Sequence, residues 1–302
     1  VPIDEFNRTA ANPMPSVSCI LVNWNGWADT EACLASLLQQ DYPSLHIVVV
    51  DNGSADDSVE RIHANFPTVT VLETHRNLGF ASGCNAGMRY AYEQGADLLW
   101  MLNNDTVAPA DTCSTLVAKA AAEPQAGLIG SVLYYMQEPT RVQAWGGGDL
   151  DLTLGRSRHF YTPSTFGPHG YLTFASVLVR REVIAKIGVL YEGFFMYWDD
   201  ADLALRATAA GFALTVAENT AVLHKEGGSV EYRSPLIDRF YTTAGMRFLK
   251  RHSSAPLRSM AIFATNKFGI RLLRGQFKNA RAILLGVSDY IGQRHNVYTD
   301  QL

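Results

Sequence analysis

The feature that most limits what this chain can fold into is an uninterrupted apolar run, residues 98–102, that ends in Asn103, Asn104 and Asp105. Five consecutive apolar residues read as a strand buried on both faces, as in a sheet covered by helices on either side. In open sheets of that kind ligands bind beyond the carboxyl ends of the strands, so Asp105 stands where a ligand or a metal ion would be met. A polar turn made of Asn and Asp is the plainer reading of the same residues, and the rest of the chain has to decide between the two.

The run is the fourth of a series. A strand over 16–22 ends at Asn23, Trp24, Asn25 and Gly26, and Leu34, Leu37 and Leu38 then recur at helical spacing. That helix should stop before Tyr42 and Pro43. A β-branched strand over 46–50 ends at Asp51, and 54–57 has the S-x-x-D spacing of a helix start, with a short helix through Ile62 and Phe66. A third strand covers 69–72, and a helix to about Gly95 follows the glycine-rich stretch 76–87. Alternating strands and helices predict an α/β domain with a largely parallel sheet. Beyond Asp105 the pattern gives a helix over 115–122, a strand over 128–134, a flexible turn at 145–149 and a loop-rich segment over 152–171. A strand over 172–180 runs into a helix at 181–184. Asp199, Asp200 and Asp202 precede a helix over 203–207 that Gly211 closes, and short strands at 213–216 and 221–223 lead to His224.

Apolar residues make up 47% of the 302, ample for a core, and no apolar run reaches the ~18 residues of a membrane span. No secretory signal peptide is expected. Cys19, Cys33, Cys84 and Cys113 show no metal-binding spacing and read as buried thiols of a cytoplasmic protein. Residues 1–13 are polar and patternless and are expected to be disordered or appended to the fold. The domain expected to carry the chemistry is 14–235, followed by a basic helical region over 236–302. From Arg239 onward the chain carries 11 Lys and Arg against 2 Asp and Glu, a balance of +9, so that the remainder of a chain of net charge −4 stands at −13. An acidic body with a basic tail suits a tail facing something anionic; nucleic acid is not expected as a partner.

Four constellations carry chemistry. Asp51, at a strand end, can accept hydrogen bonds from a base or a ribose, or serve as a turn residue. The stretch from Arg76 to Gly87 places an Arg, two Asn and three Gly ahead of a helix, where backbone amides suit phosphate oxygens; it is neither a P-loop nor a dinucleotide fingerprint. Asp199 and Asp200 follow an aromatic run, and a carboxylate beside aromatic surface has a raised pKa suited to a base, whereas Asp202 fits a capping role at the helix start. His224, a residue more often packed than ligating, would make with Asp105 a mixed nitrogen and oxygen site for a divalent cation.

Taken together, these residues resemble the GT-A fold glycosyltransferases of family 2, the inverting nucleotide-sugar transferases, over about 17–230, and within them the bacterial rhamnosyltransferases and galactofuranosyltransferases. The resemblance implies a GT-A, Rossmann-like, mostly parallel sheet flanked by helices with a C-terminal helical extension. It implies that Asn23, Asn25 and Asp51 line the nucleoside pocket. Arg76, Asn77, Gly79, Phe80 and Asn85 belong to the matching stretch beside the diphosphate and sugar, and Asn103 and Asn104 stand in the D-x-D motif, leaving Asp105 as its main carboxylate. Asp105 and His224 would hold Mg2+ or Mn2+, and Asp200, with Asp199 as the second choice, would be the base. Phe174 departs from the family's usual Gly. The implied reaction moves a sugar, with rhamnose from dTDP-rhamnose favoured, to a hydroxyl of a glycan or lipid-linked acceptor in polysaccharide biosynthesis. A non-catalytic nucleotide-sugar or glycan-binding module and a sugar nucleotidyltransferase are the competing readings.

In the tail, Lys267, Arg271, Arg274, Lys278 and Arg281 fall at spacings of 4, 3, 4 and 3, one helical stripe, with Ile270, Leu273, Phe277 and Leu284 about 100° away. Such a helix suits the anionic inner face of a cell membrane. Phe268 and Leu272 on the other flank favour packing on the body or on a second copy in a homodimer.

Overall fold

The structure is a computed structural model and describes residues 14–225 and 234–293. The expected leader, 1–13, lies outside the described residues, as do 226–233 and 294–302.

In chain order the elements are β1 (Val17–Asn23), α1 (Trp27–Leu37), β2 (Leu45–Asp51), α2 (Ser58–Asn65), β3 (Thr70–Glu73), α3 (Phe80–Glu93), β4 (Leu98–Leu102), β5 (Thr106–Val107) and α4 (Thr112–Ala122). There follow β6 (Ala126–Tyr135), β7 (Glu138–Trp145), β8 (Gly147–Asp151), β9 (Arg156–His159), β10 (Gly170–Leu172), β11 (Ser176–Arg180) and α5 (Arg181–Ile187). The last elements are α6 (Asp199–Ala209), β12 (Ala213–His224), α7 (Pro235–His252), α8 (Pro256–Leu273) and α9 (Phe277–Ile291).

The main sheet has the order β3-β2-β1-β4-β11-β6-β12-β5, with β7 beside β6. Strands β1, β2, β3, β4, β6 and β12 run one way, and β5, β7 and β11 oppose them. This is the mostly parallel α/β sheet that the alternation predicts. All five residues of β4 are buried. Leu99 and Met101 point into the core beneath α3 and α6, and Leu98, Trp100 and Leu102 into the core beneath α1, α2 and α4. The Trp100 indole N–H donates to Ser176 Oγ at 3.0 Å, so the largest side chain of the strand is buried without an unpaired polar atom.

Four expectations need correcting. The segment 145–159 is not a flexible turn and loop: β8, β9 and β10 form a three-stranded antiparallel sheet. Gly147 and Gly148 are there because a Cβ would strike the carbonyls of Tyr171 and Arg158 across the strand pairs. The two short strands before His224 are one strand, β12, with a register shift between Ala217 and Val222. Thr220 fills that irregularity, accepting the Val132 N–H and donating to the Ala217 carbonyl. Asp199 and Asp200 do not precede the helix; they are its first two residues.

The basic stripe of the tail is not on one helix. Gly275, at φ +67, breaks the chain between α8 and α9. Lys267 and Arg271 turn inward to Asp238 of α7, with Arg271 Nε 2.9 Å and Lys267 Nζ 3.9 Å from its carboxylate, while Arg274, Lys278 and Arg281 stay exposed. Helix α7 is part of the main core rather than a separate unit: Phe248 and Leu249 pack with Trp198 and Leu205, and Phe263 of α8 joins them.

Candidate active site

A cavity of about 660 Å3 opens beyond the carboxyl ends of β1, β2 and β4, in the size range of small-ligand sites. One wall comes from the strand ends and the start of α3, the other from α6, α7 and the small β8–β9–β10 sheet.

The strand-end wall is a closed hydrogen-bond network. Asn23 is fully buried, donates to Asp51 Oδ2 at 2.9 Å and to Ser54 Oγ at 3.1 Å, and accepts from Thr30 Oγ1. Asp51 also accepts the N–H groups of Gly53 and Ser54. Asn25, at φ 50, accepts from the Ala55 N–H at 2.7 Å. These three therefore shape the loop after β2 with their side chains. Asn77 and Phe80 line the cavity. Asn52, to which the sequence assigns only a turn, donates to Asn77 Oδ1 and the Gly79 carbonyl and accepts the Leu78 N–H. Gly79 needs to be glycine: its φ is +85 and a Cβ would strike the backbone of Phe195. Arg76 is exposed above this loop with no ion pair among the described residues. Asn85 lies away from the cavity, its amide clamped between the Leu190 backbone and Glu192.

After β4, Asn104 donates to Thr30 Oγ1, and Asp105 Oδ1 lies 3.2 Å from His224 Nε2. Asp105 and His224 converge because Thr106 and His224 are register partners in the β5–β12 pair. His224 Nδ1 lies 2.7 Å from Gln143 Oε1, and its other ring nitrogen, Nε2, is the one that faces the carboxylate. Donors about 2.1 Å from one ion and at right angles lie about 3 Å apart, so the separation suits neighbouring ligands of one metal. Asn103 Oδ1 is buried beside them with no partner among the described residues, and Asn103 Nδ2 is 3.4 Å from His224 Nε2. Among the described residues no group of three or more His, Cys, Asp or Glu side chains is placed to hold a metal ion. Mg2+ and Mn2+ sites that borrow substrate phosphates and water need no such group, and the residues present fit that kind of site.

The opposite wall is built on strain and burial. Tyr197 and Trp198 are both left-handed, at φ 74 and φ 69, a conformation that costs a non-glycine residue on the order of 1 kcal/mol or more. The two residues swing the first turn of α6 toward the cavity. Burial pushes Asp200 up to about 6, against the N–H groups of Ala201, Asp200 and Phe174 that hold it down. Asp199 is more deeply buried; burial and then the neighbouring Asp200 push it well up, and its Oδ1 has no partner among the described residues. Asp202 goes the other way. Burial pushes it up, but the His252 hydrogen bond, Arg206 and Arg251 outweigh that and hold it at about 2. It ties α6 to α7 and does not cap the helix, whose start has no side-chain cap.

Phe174, Tyr171, Tyr197 and Tyr241 complete the wall around Asp200. Gln143, Ser157, Tyr171 and Tyr241 were not singled out from the sequence. Each is brought in by tertiary structure, and no local pattern marks it.

This architecture is that of the GT-A glycosyltransferases. The chain superimposes on mannosyltransferase PcManGT from Pyrobaculum calidifontis, solved with GDP-Man and Mn2+, at TM-score 0.57 and 15% identity, over 93% of this chain and 88% of that one. S. aureus TarS 1-349, in complex with UDP-GlcNAc, gives 0.58 at 17% identity over 90% and 81%. Residues 18–188 match glycosyl transferase family 2, and the chain belongs to that family. Curated relatives include the N-acetylglucosaminyl-diphospho-decaprenol L-rhamnosyltransferase of Mycobacterium tuberculosis, 25% identical over 237 residues that cover 70% of this chain and 76% of the relative. Galactofuranosyltransferase GlfT1 of the same species is 28% identical over 206 residues, 65% of each.

Proposed function

We propose that this protein is a metal-dependent inverting glycosyltransferase that moves a sugar from a nucleotide-sugar to a hydroxyl of a glycan or lipid-linked acceptor. The observation that carries the reading is a carboxylate held near pKa 6 on one wall of the cavity, opposite a wall of hydrogen-bonded amides and the Asp105–His224 pair. Asp200 takes the proton of the acceptor hydroxyl while its oxygen attacks the anomeric carbon and the bond from that carbon to the diphosphate breaks. Attack from the face opposite the leaving group inverts the centre.

The donor wall divides into contact and support. Asn77, Phe80, Asn103 and Asn104 meet the donor, Asn23, Asn25 and Asp51 fix the nucleoside side of the pocket, and Arg76 and the Gly79 turn lie beside the diphosphate. Asn85 holds α3 in place. Asp105 and His224 would hold Mg2+ or Mn2+, whose positive charge offsets the charge that develops on the leaving phosphate. Asp199, whose carboxyl burial and the neighbouring Asp200 push well up, stands beside the base in the first turn of α6. The likeness to the N-acetylglucosaminyl-diphospho-decaprenol L-rhamnosyltransferase supports rhamnose as the sugar and a polyprenyl-diphosphate sugar as the acceptor; dTDP-rhamnose as the donor and the cytoplasmic face of a membrane as the place of work complete the reading.

The test is a panel of nucleotide-sugars with Mn2+ or Mg2+, scored for nucleoside diphosphate release, with Asp200→Asn beside the wild type. Loss of a general base lowers turnover by at least about 10²-fold, with donor affinity retained. Near-normal turnover by Asp200→Asn moves the role to Asp199 or removes it. Pyrophosphate formed from a sugar phosphate and a nucleoside triphosphate would mark a nucleotidyltransferase instead.

A further inference from the structure

Helix α9 is apolar on both sides. Its inner face packs Ala280, Ala282, Ile283 and Gly286 toward α7, where Thr243 donates to the Gly286 carbonyl at 3.0 Å. Its outer face exposes Phe277 at 70%, Leu284 at 54%, Leu285 at 40% and Ile291 at 72%, interleaved with exposed Lys278 and Arg281. At 100° per residue these six fall within about 140° of arc. Next to the start of α9, the end of α8 adds Leu273, 91% exposed, and exposed Arg274. Among the described residues none of these cations has an ion pair, and the single Asp or Glu within α8 and α9 is Asp289, buried and paired with Arg239.

We propose that the outer face of α9 and the α8–α9 corner seat this protein on an anionic lipid surface. Apolar side chains flanked by uncompensated cations match an interface in which acyl chains lie beneath negative headgroups. A second copy of the chain is the poorer fit: a two-fold contact through this face buries Lys278 and Arg281 against the same surface of the copy, where α8 and α9 offer no exposed acid to meet them. The surface is also close to the chemistry. Asp238, in the first turn of α7, takes Arg271 and Lys267 from α8 and Asn279 from α9, and its neighbours Ile237 and Tyr241 line the cavity. The end of α8 and the start of α9 therefore anchor to the same first turn of α7 that lines the cavity. The proposal deepens the lipid-linked acceptor reading, on which its purpose rests, while the contact itself stands on the surface alone. Lys267 and Arg271, buried in the Asp238 cluster, take no part.

The experiment is sedimentation of the full chain with phosphatidylcholine vesicles and with vesicles containing phosphatidylglycerol, at low and at high salt. Wild type is expected to sediment with the anionic vesicles, less at high salt, and to stay in the supernatant with the neutral ones. The triple variant Arg274→Glu, Lys278→Glu, Arg281→Glu is expected to lose binding by more than about 100-fold, at about fivefold per cation. Phe277→Ser with Leu284→Ser, which leaves every charge in place, is expected to weaken it as well. Release of nucleoside diphosphate without vesicles is expected to be unchanged in both variants, so a failure of the membrane contact is separate from a failure of the glycosyltransfer reading. Sedimentation by both variants equal to wild type overturns the proposal. So does a wild-type dimer in sedimentation equilibrium that the variants dissociate, without vesicle binding.

Discussion

The two walls of the cavity are built on opposite physical terms. On the donor wall, Asn23, Asp51, Asn52 and Asn77 satisfy one another and the backbone around them, so its shape exists before any ligand arrives. On the opposite wall, two consecutive left-handed residues, a carboxylate at about pKa 6 and a second, buried carboxylate with one oxygen that has no partner among the described residues are held in place by packing. Trp198 stacks on Phe248 at 4.7 Å, and Asp202, two residues past Asp200, is locked to His252, Arg206 and Arg251. On the proposed reading the difference separates two kinds of work: recognition would rest on mutually satisfied polar groups, and proton transfer on a carboxylate whose burial outweighs the N–H groups that hold it down. Asp200 and Asp202 lie in one helical turn, and their neighbours alone send one up and the other down.

The largest expected effect concerns the Asp105–His224 pair on the first of these walls. Chelation by EDTA is expected to abolish transfer and Mn2+ or Mg2+ to restore it, with His224→Ala and Asp105→Asn each showing little or no restored activity. Full activity in chelator would remove the metal from both residues. A step down in size is Gln143→Leu, which frees the His224 ring; partners of this kind are worth about 10- to 100-fold in metal affinity. Mn2+ binding in the presence of dTDP, followed by loss of the free-ion electron spin resonance signal, is expected to weaken by that factor in Gln143→Leu and to be retained in Gln143→Glu. Equal binding by Gln143→Leu and wild type would make the 2.7 Å contact incidental.

The third prediction sharpens the contrast within α6. Asp202→Asn leaves Arg206, Arg251 and His252 facing a neutral amide and is expected to cost about 3 kcal/mol at pH 7. Because the folded pKa of Asp202 is lowered to about 2, its contribution is fully present above the unfolded value of about 3.9 and is lost as pH falls toward 2. The gap in thermal stability between wild type and Asp202→Asn is therefore expected to shrink below about pH 4. A gap that is absent at pH 7, or that widens in acid, would make the cluster a surface ornament rather than the tie between α6 and α7.

The donor wall was largely legible in the sequence because its signal is local. An apolar strand that stops at Asn23, Asp51 or Asn103 announces both the strand and the polar group at its carboxyl end. The opposite wall was legible at Asp199 and Asp200, which sit in one aromatic and acidic run, and at Phe174 through the family resemblance. Tyr171 and Tyr241 arrive from β10 and α7, far apart in the chain, and Gln143 is an ordinary residue of an exposed-looking strand. The glycines at 146–148 misled because lack of a side chain marks a turn and a crowded strand pair equally. In the tail, a periodicity of 4 and 3 cannot show that Gly275 breaks the helix, nor that Asp238 draws Lys267 and Arg271 inward.

The central claim is that Asp200 works as a base because burial holds it near pKa 6, and the pH dependence of kcat/KM for sugar transfer tests it most directly. The base must be ionised to accept the acceptor proton, so the rate is expected to fall about tenfold per pH unit below about 6, with that acidic limb gone from the residual activity of Asp200→Asn. A wild-type profile flat down to pH 5, or a limb that persists unchanged in Asp200→Asn, would contradict the account.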